Sequence, residues 1–397
     1  MSRILFVHDD PRLCERVKRL LAAREPEWEV LTSTREDEAW MLVRELEPNA
    51  IVVAARPPEL DGVRLLTRVR DLRTETVRII IGVDADAEHG LRTLRLAHRA
   101  LPDPFEVPAL HEMVKRMLLL SEVVAQPAVR AVLAQMGSLP AVPSVYTRLS
   151  RRLDDPNVSV YELSEMVSAD TTLAVQVLRV ANSAYFGRHQ RVTQLEFAAA
   201  RLGTRLLRSL VLMAEVYGRF PVSPFIAERL ESLQEHASLV ARVASNLEPN
   251  APWREEAFTA GLLHDSGKLL LASHLPDVHT SIVRDAERTG TPEFEVEVQR
   301  LGIHHGTLGA CMLGMWGLPS VVLDAARAHH SSIVRLPEAL NPVIAVTIAD
   351  HLVHAVVTPP GMPGHRLQML ELLAGDPRWP RWSELAAEAG QQEREAA

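Results

Sequence analysis

GLLHDSGKLLL, residues 261–271, sets the reading of this 397-residue chain. Its leucines surround a His264-Asp265 pair, with Lys268 close behind. An apolar surround of this kind predicts a mostly buried helix that carries the pair inward. Outward from it, imidazoles and carboxylates recur: His236, then His264-Asp265, His305, His329-His330 and Asp350. Spaced a helix or two apart, such groups can converge on a metal. Imidazole and carboxylate suit first-row divalent ions such as iron and manganese, and two ions can clamp the attacking and leaving oxygens of a phosphate ester. The expected ligand set is therefore His236, His264, Asp265, His305, His329, His330 and Asp350, around one or two divalent cations.

The bland reading stands beside it. The chain has 16 histidines, so some neighbours arise by chance, and His189, His274, His279, His354 and His365 are read as packed or exposed residues. Lys268 is one of three lysines against forty arginines. A compact ammonium that meets a metal-bridging water or a phosphate is not replaceable by a guanidinium fork. Lys268 is the catalytic candidate if the chain is an enzyme, and a helix-end charge otherwise.

The order H…HD…H…HH…D resembles that of the HD superfamily of metal-dependent phosphohydrolases. The family's H-x-x-x-G spacing fits His305-Gly306-Thr307-Leu308-Gly309 and selects His305 over His304. The segment from Ser138 to Gly187 resembles the opening of the HDOD domain, an HD-related output module of bacterial signalling proteins. FAAARLGTRLLRSLVLMAEV, HHGTLGACMLGMWGLP and IADHLVH continue the resemblance in the right order. The resemblance implies an all-α domain over 139–357 that acts in signalling and scaffolding, with phosphohydrolase activity as the alternative. The HD phosphodiesterases that cut cyclic di-GMP carry Gly-Tyr-Pro after the paired histidines. Here Ser331-Ser332-Ile333 follow, so that activity is not expected. Locally, Ser159 with Glu162 three residues on reads as a capping box. Asp154 to Asn157 read as a helix end, Asp170 or Thr171 as a cap, and Asn182 as a tie between a helix end and a loop.

Residues 1–122 follow a different rhythm. Ile4–His8, Glu29–Ser33, Ala50–Ala54 and Arg78–Val83 read as buried strands; Arg12–Ala23, Arg35–Leu46, Val63–Asp71, Ala87–Ala97 and about Val107–Leu119 read as helices. Alternation at this spacing predicts a parallel sheet covered on both faces, with function at the carboxyl ends of its strands. Those ends resemble the receiver domain of response regulators, a flavodoxin-like fold with five parallel strands. Asp9-Asp10 match its acidic magnesium pair, Pro57 to Gly62 its third loop, and Pro104-Phe105 the end of its fifth strand. Its reactive positions are altered: Ala54 stands at the phosphoacceptor, Val83 at the hydroxyl and Asp103 at the lysine. Alanine offers no nucleophilic oxygen, valine no hydroxyl, and aspartate repels phosphate where a cation should neutralise it. The reading is a pseudo-receiver in which Asp9-Asp10 are a leftover acidic turn.

Pro127 and the Gly137–Pro143 segment mark the junction, so 123–138 is read as a helical linker and 358–397 as a tail with a helix around Trp382–Ala389. The net charge of −8 argues against a broadly basic nucleic-acid surface, and no charge-free apolar run reaches 18 residues. Two distant cysteines, Cys14 and Cys311, fit a reducing cytoplasm. The expected partners are other signalling proteins, with a homodimer admitted. Three readings stay open: a regulatory module, a metal-dependent phosphohydrolase acting on a nucleotide or second messenger, and an interaction domain with a structural metal.

Overall fold

The computed structural model describes residues 2–55, 60–73, 75–82, 97–136, 152, 159–168, 177–178, 194–219, 224–357 and 364–396. The Pro57–Glu59 loop, Val83, most of the Ala87–Ala97 helix, the Asp154–Asn157 helix end, Asp170, Thr171 and Asn182 lie outside those residues. The chain divides into two compact units, 1–123 and 124–397.

In the first unit, β1 (Ser2–Val7), β2 (Trp28–Ser33), β3 (Ala50–Ala54), β4 (Val77–Ile81) and a three-residue β5 (Arg99–Leu101) pair in parallel, in the order β2-β1-β3-β4-β5. The sequence AIVVA of β3 and VRIII of β4 are buried throughout, as expected of central parallel strands covered on both faces. The described helices of this part are α1 (Pro11–Arg24), α2 (Glu36–Leu46), α3 (Gly62–Leu72) and α4 (Val107–Ala125). α1 buries Cys14, Val17 and Leu21 along one stripe. This strand order reverses direction between β1 and β3, so the ends of those strands flank the crevice where such sheets bind ligands.

Ala54 ends β3 there with 1% exposure. Asp10 takes a capping role instead of pointing freely into the crevice: its carboxylate accepts from Arg12 N–H at 2.8 Å, and Pro11 opens the helix. Asp9 sits 3.0 Å from His8 Nδ1. Asp103 follows β5 and is exposed. Labelled acetyl phosphate should therefore leave no hydroxylamine-sensitive label on this protein. Ala54→Asp alone should remain unswitched, because Asp103 keeps a negative charge where the phosphoryl group needs a cation. Label mapping to Asp9, Asp10 or Asp61 of the wild-type chain would refute this.

The second unit is helical. Its described helices are α5 (Pro127–Met136), α6 (Val160–Ser168), α7 (Leu195–Arg219), α8 (Pro224–Asn246), α9 (Arg254–Leu263), α10 (Ser266–His274), α11 (Pro276–Thr289), α12 (Glu293–Leu301), α13 (His305–Met315), α14 (Ser320–Ala328), α15 (Pro342–Val357), α16 (Gly364–Ala374) and α17 (Trp379–Ala396). Ser159 Oγ accepts from Glu162 N–H at 3.1 Å at the start of α6, which is half of the expected capping box. α7 is broken at Gly203 (φ 76°, ψ 164°).

α5 groups with the second unit, and Val129, Val132 and Met136 form a buried stripe along it at helical spacing. The segment beyond 363 forms two helices that join the core. α17 runs well past Ala389, and Trp382 is wholly buried, its indole N–H directed at Leu247 O at 3.4 Å. Ala386 and Ala389 repeat the buried face one and two turns on, and Arg242 of α8 donates to Ala389 O at 2.7 Å. A polar composition disguises this stripe; its spacing gives it away.

Candidate metal centre

The expected ligands come from helix ends and from two helix interiors. The HD pair does not sit within one helix. α9 stops at Leu263 and α10 starts at Ser266, with Asp265 at φ −94°, ψ 6° between them. His264 thus ends one helix and Asp265 begins the next. His305 opens α13, His329 closes α14 with His330 just after it, His236 lies within α8, and Asp350 lies within α15.

Glycine lets the backbones come close enough for this. A Cβ on Gly267 would lie 1.9 Å from His305 O and 2.8 Å from Gly309 N. Only a residue without a side chain allows α10 to meet α13 there, and that contact sets Asp265 beside His305.

The imidazoles are fixed in one tautomer by their Nδ1 partners. His264 Nδ1 lies 2.7 Å from Gly261 O, and His329 Nδ1 2.7 Å from Ala326 O; a carbonyl only accepts, so both Nδ1 atoms carry the proton. Glu297, fully buried, accepts from His305 N–H at 2.6 Å and from its Nδ1 at 2.7 Å. His264 and His329 are each left with an Nε2 lone pair, and the Nε2 atoms of the cluster converge. His305 Nε2 is 3.3 Å from His329 Nε2, 3.1 Å from His330 Nε2 and 3.0 Å from Asp265 Oδ1. His329 Nε2 is 3.5 Å from the same carboxylate oxygen. His264 Nε2 faces Asp265 at 3.6 Å and Asp350 at 3.8 Å, and His236 Nε2 lies 3.0 Å from Asp350 Oδ1.

Such a cluster sets acceptor against acceptor. His264 Nε2 is buried without a hydrogen-bond partner, and Asp265 Oδ1 is buried with His305 Nε2 3.0 Å away. Burial pulls the His264 pKa down to about 3, so a proton does not relieve the conflict there. Burial also opposes ionisation of Asp265 and Asp350. Lys268 beside Asp265, and His354 and His236 beside Asp350, nevertheless hold both well below the usual carboxylate range. His305 goes the other way: burial opposes its charge, but Glu297 and Asp265 raise it to about 9. The chemistry that satisfies imidazole lone pairs and two carboxylates at once is a divalent cation. The seven sequence-derived candidates fall in three overlapping donor groups: Asp265, His305, His329 and His330; His236, His264 and Asp265; and His236 and Asp350 with His354. His304 is excluded by its own geometry. It caps α13, accepting from Gly306 N–H at 3.2 Å, and burial lowers its pKa to about 3.

Lys268 Nζ donates to Asp265 Oδ2 at 2.6 Å and faces a cavity of about 370 Å³. His236, His330, Arg229 and Phe294 also line it, and Phe294 stacks on the His330 ring at 4.2 Å.

Two residues here were not singled out in the sequence. Glu297 lies in EFEVEVQRL, whose alternation hides a carboxylate turned inward. His354 was set aside, yet it stands one helical turn from Asp350, its Nε2 3.4 Å from Oδ1. Glu297→Gln should weaken metal binding about 10–100-fold, as loss of a carboxylate behind a ligating histidine typically does. Competition with a metal-sensitive dye would measure it, and unchanged affinity would reduce Glu297 to a packing role.

Comparison with known proteins agrees with the fold. The HDOD domain family matches residues 139–332. An HDOD domain protein of unknown function from Geobacter sulfurreducens is 19% identical, with 72% of this chain and 96% of that one aligned at a TM-score of 0.52. A protein from Shewanella amazonensis, which carries the provisional name of a phosphohydrolase, is 25% identical over 68% of this chain and 99% of that one, with a TM-score of 0.51. A Treponema pallidum protein without assigned function is 23% identical over 214 residues, which is 53% of this chain and only 41% of that relative. Fold and comparison together define a receiver-like α/β domain followed by an HDOD domain. Within the second lies a buried His/Asp cluster of the kind that can hold metal.

Proposed function

We propose that this is a cytoplasmic bacterial signal-transduction protein in which a receiver-like domain that cannot be phosphorylated is joined to an HDOD module that binds divalent metal and engages other signalling proteins. The observation that carries the metal part is the convergence of Nδ1-protonated histidines on two ionised carboxylates. Asp265 would be shared between two cations, and a bound cation would supply Lewis acidity to a phosphate oxygen or a water. The signalling part rests on the receiver-like unit with Ala54 at its phosphoacceptor position. Protein purified without chelator or histidine tag should contain iron, manganese or another first-row metal near one or two ions per chain. A metal-free wild-type protein that takes up no ion on titration would leave only a scaffold.

A second reading, metal-dependent phosphohydrolase, is favoured by one specific observation. The cluster is not sealed, because the cavity opens onto Asp265, His305 and His330 with Lys268 and Arg229 in its lining. That is room for a phosphate ester beside the Lys268 ammonium and the Arg229 guanidinium, with Asp265 and Glu293 also in the lining, and the Shewanella amazonensis protein's name points the same way. Manganese- or iron-loaded protein should then cleave a generic phosphodiester, with turnover lost in Asp265→Ala. Metal binding without turnover on any such ester would return the cluster to a structural or regulatory role.

A further inference from the structure

The two donor groups around Asp265 are not equivalent, and the difference lies at the cavity side of α15. Asp350 Oδ1 is approached by three imidazole nitrogens: His236 Nε2 at 3.0 Å, His354 Nε2 at 3.4 Å and His264 Nε2 at 3.8 Å. His236, Asp350 and His354 form a donor group of their own, their ligand atoms all within 4.8 Å of one another. The reason is helical geometry: His354 follows Asp350 at the fourth position on, so both side chains leave the same face of α15 one turn apart. The rings of His236 and His354 lie 4.5 Å apart at 37°, with their Nε2 atoms on the same carboxylate oxygen. A simple ion pair would need one imidazole on that oxygen. A second one turned toward the same point is what a coordination sphere requires.

We infer that His354 is a further metal ligand, which joins His236, His264, Asp265 and Asp350 around one cation while Asp265, His305, His329 and His330 hold the other. This rests on the metal-centre reading above and adds an asymmetry to it. Five protein donors surround the Asp350-side ion and four surround its neighbour. The Asp350-side position is thereby more nearly saturated by protein. The other keeps more room for water or a ligand from the cavity, where His330 and Phe294 stand. His354 itself lines that cavity at 25% side-chain exposure, so small molecules can reach its position from solvent.

The test compares wild type, His354→Gln, His354→Ala and Asp265→Ala in the full chain, by elemental analysis and by titration of the metal-free protein with manganese and cobalt. Glutamine keeps a donor for Asp350 but removes the imidazole, and so separates an ion-pair role from ligation. In His354→Gln one ion should be lost or weakened by about ten-fold or more, on the scale of a lost site partner. The second ion should stay. Cobalt-loaded wild type and variant should differ in their visible d–d bands. Imidazole added to His354→Ala should restore the missing ion, which a packing role would not allow. Wild-type stoichiometry and affinity in both His354 variants would overturn the inference while leaving the metal centre standing. Simultaneous loss of both ions would overturn the assignment of His354 to one of them. Absence of metal from wild type as well as from Asp265→Ala would overturn the metal centre itself.

Discussion

Asp265→Ala should empty the metal centre and also cost about 3–5 kcal/mol of stability, the usual penalty when one partner of a buried ion pair is removed. Both effects come from the same carboxylate. Its two oxygens lie within 3.6 Å of His264, His305 and His329 and 2.6 Å from Lys268 Nζ. Removal takes away the donor shared by both ligand groups and leaves Lys268, 13% exposed, without its counter-charge. The double variant Asp265→Ala/Lys268→Met separates the two. It should regain most of the stability in urea unfolding yet still bind no metal. A single variant that keeps its ions would remove Asp265 from the centre. A double variant no more stable than the single one would show that the lost stability came from elsewhere.

Gly267→Ala should be as damaging although it removes no ligand. The added methyl would meet the carbonyl oxygen and carbon of His305 and the amide nitrogen of Gly309, at 1.9, 2.7 and 2.8 Å. These are backbone atoms in a buried helix, with no flexible side chain to turn aside. Overpacking of ordinary cores costs about 1–3 kcal/mol, and contacts this short against main chain place the expected loss at or above the upper end. The relief available is to part α10 from α13, which separates Asp265 from His305. Thermal unfolding and metal titration should therefore fail together. A variant with wild-type melting temperature and wild-type affinity would show that the two helices do not approach as closely as described.

How much of this was legible in the sequence depended on whether burial shows in local pattern. The runs AIVVA and VRIII announce central strands because both faces of each are apolar; the first falls where it was expected, and the second starts one residue before its expected start and ends two before its expected end. The seven candidate residues were legible because their order resembles a known family; their spacing alone would not have joined α8 to α15. The break between His264 and Asp265 was not legible, since GLLHDSGKLLL is apolar on both sides and carries no proline to mark a stop. Glu297 was hidden for a different reason. A carboxylate is normally read as a surface group, and its burial depends on two N–H donors from His305, eight residues away. His354 could have been found: its i, i+4 relation to Asp350 is a sequence fact, masked by the presence of several other histidines nearby. α17 shows the same masking by composition, where charged neighbours conceal the stripe of Trp382, Ala386 and Ala389.

That last helix bears on how the protein can be cut. The HDOD match ends at residue 332, and a fragment made to that boundary would contain the HD pair and the paired histidines. It would lack Asp350 and His354, and the surface of α8 would lose Trp382 and the Arg242–Ala389 bond. Such a fragment would keep the whole stretch that matches the family while holding an incomplete donor set and an uncovered α8 surface. Silence from it in a binding or hydrolysis assay would describe the scissors, not the protein.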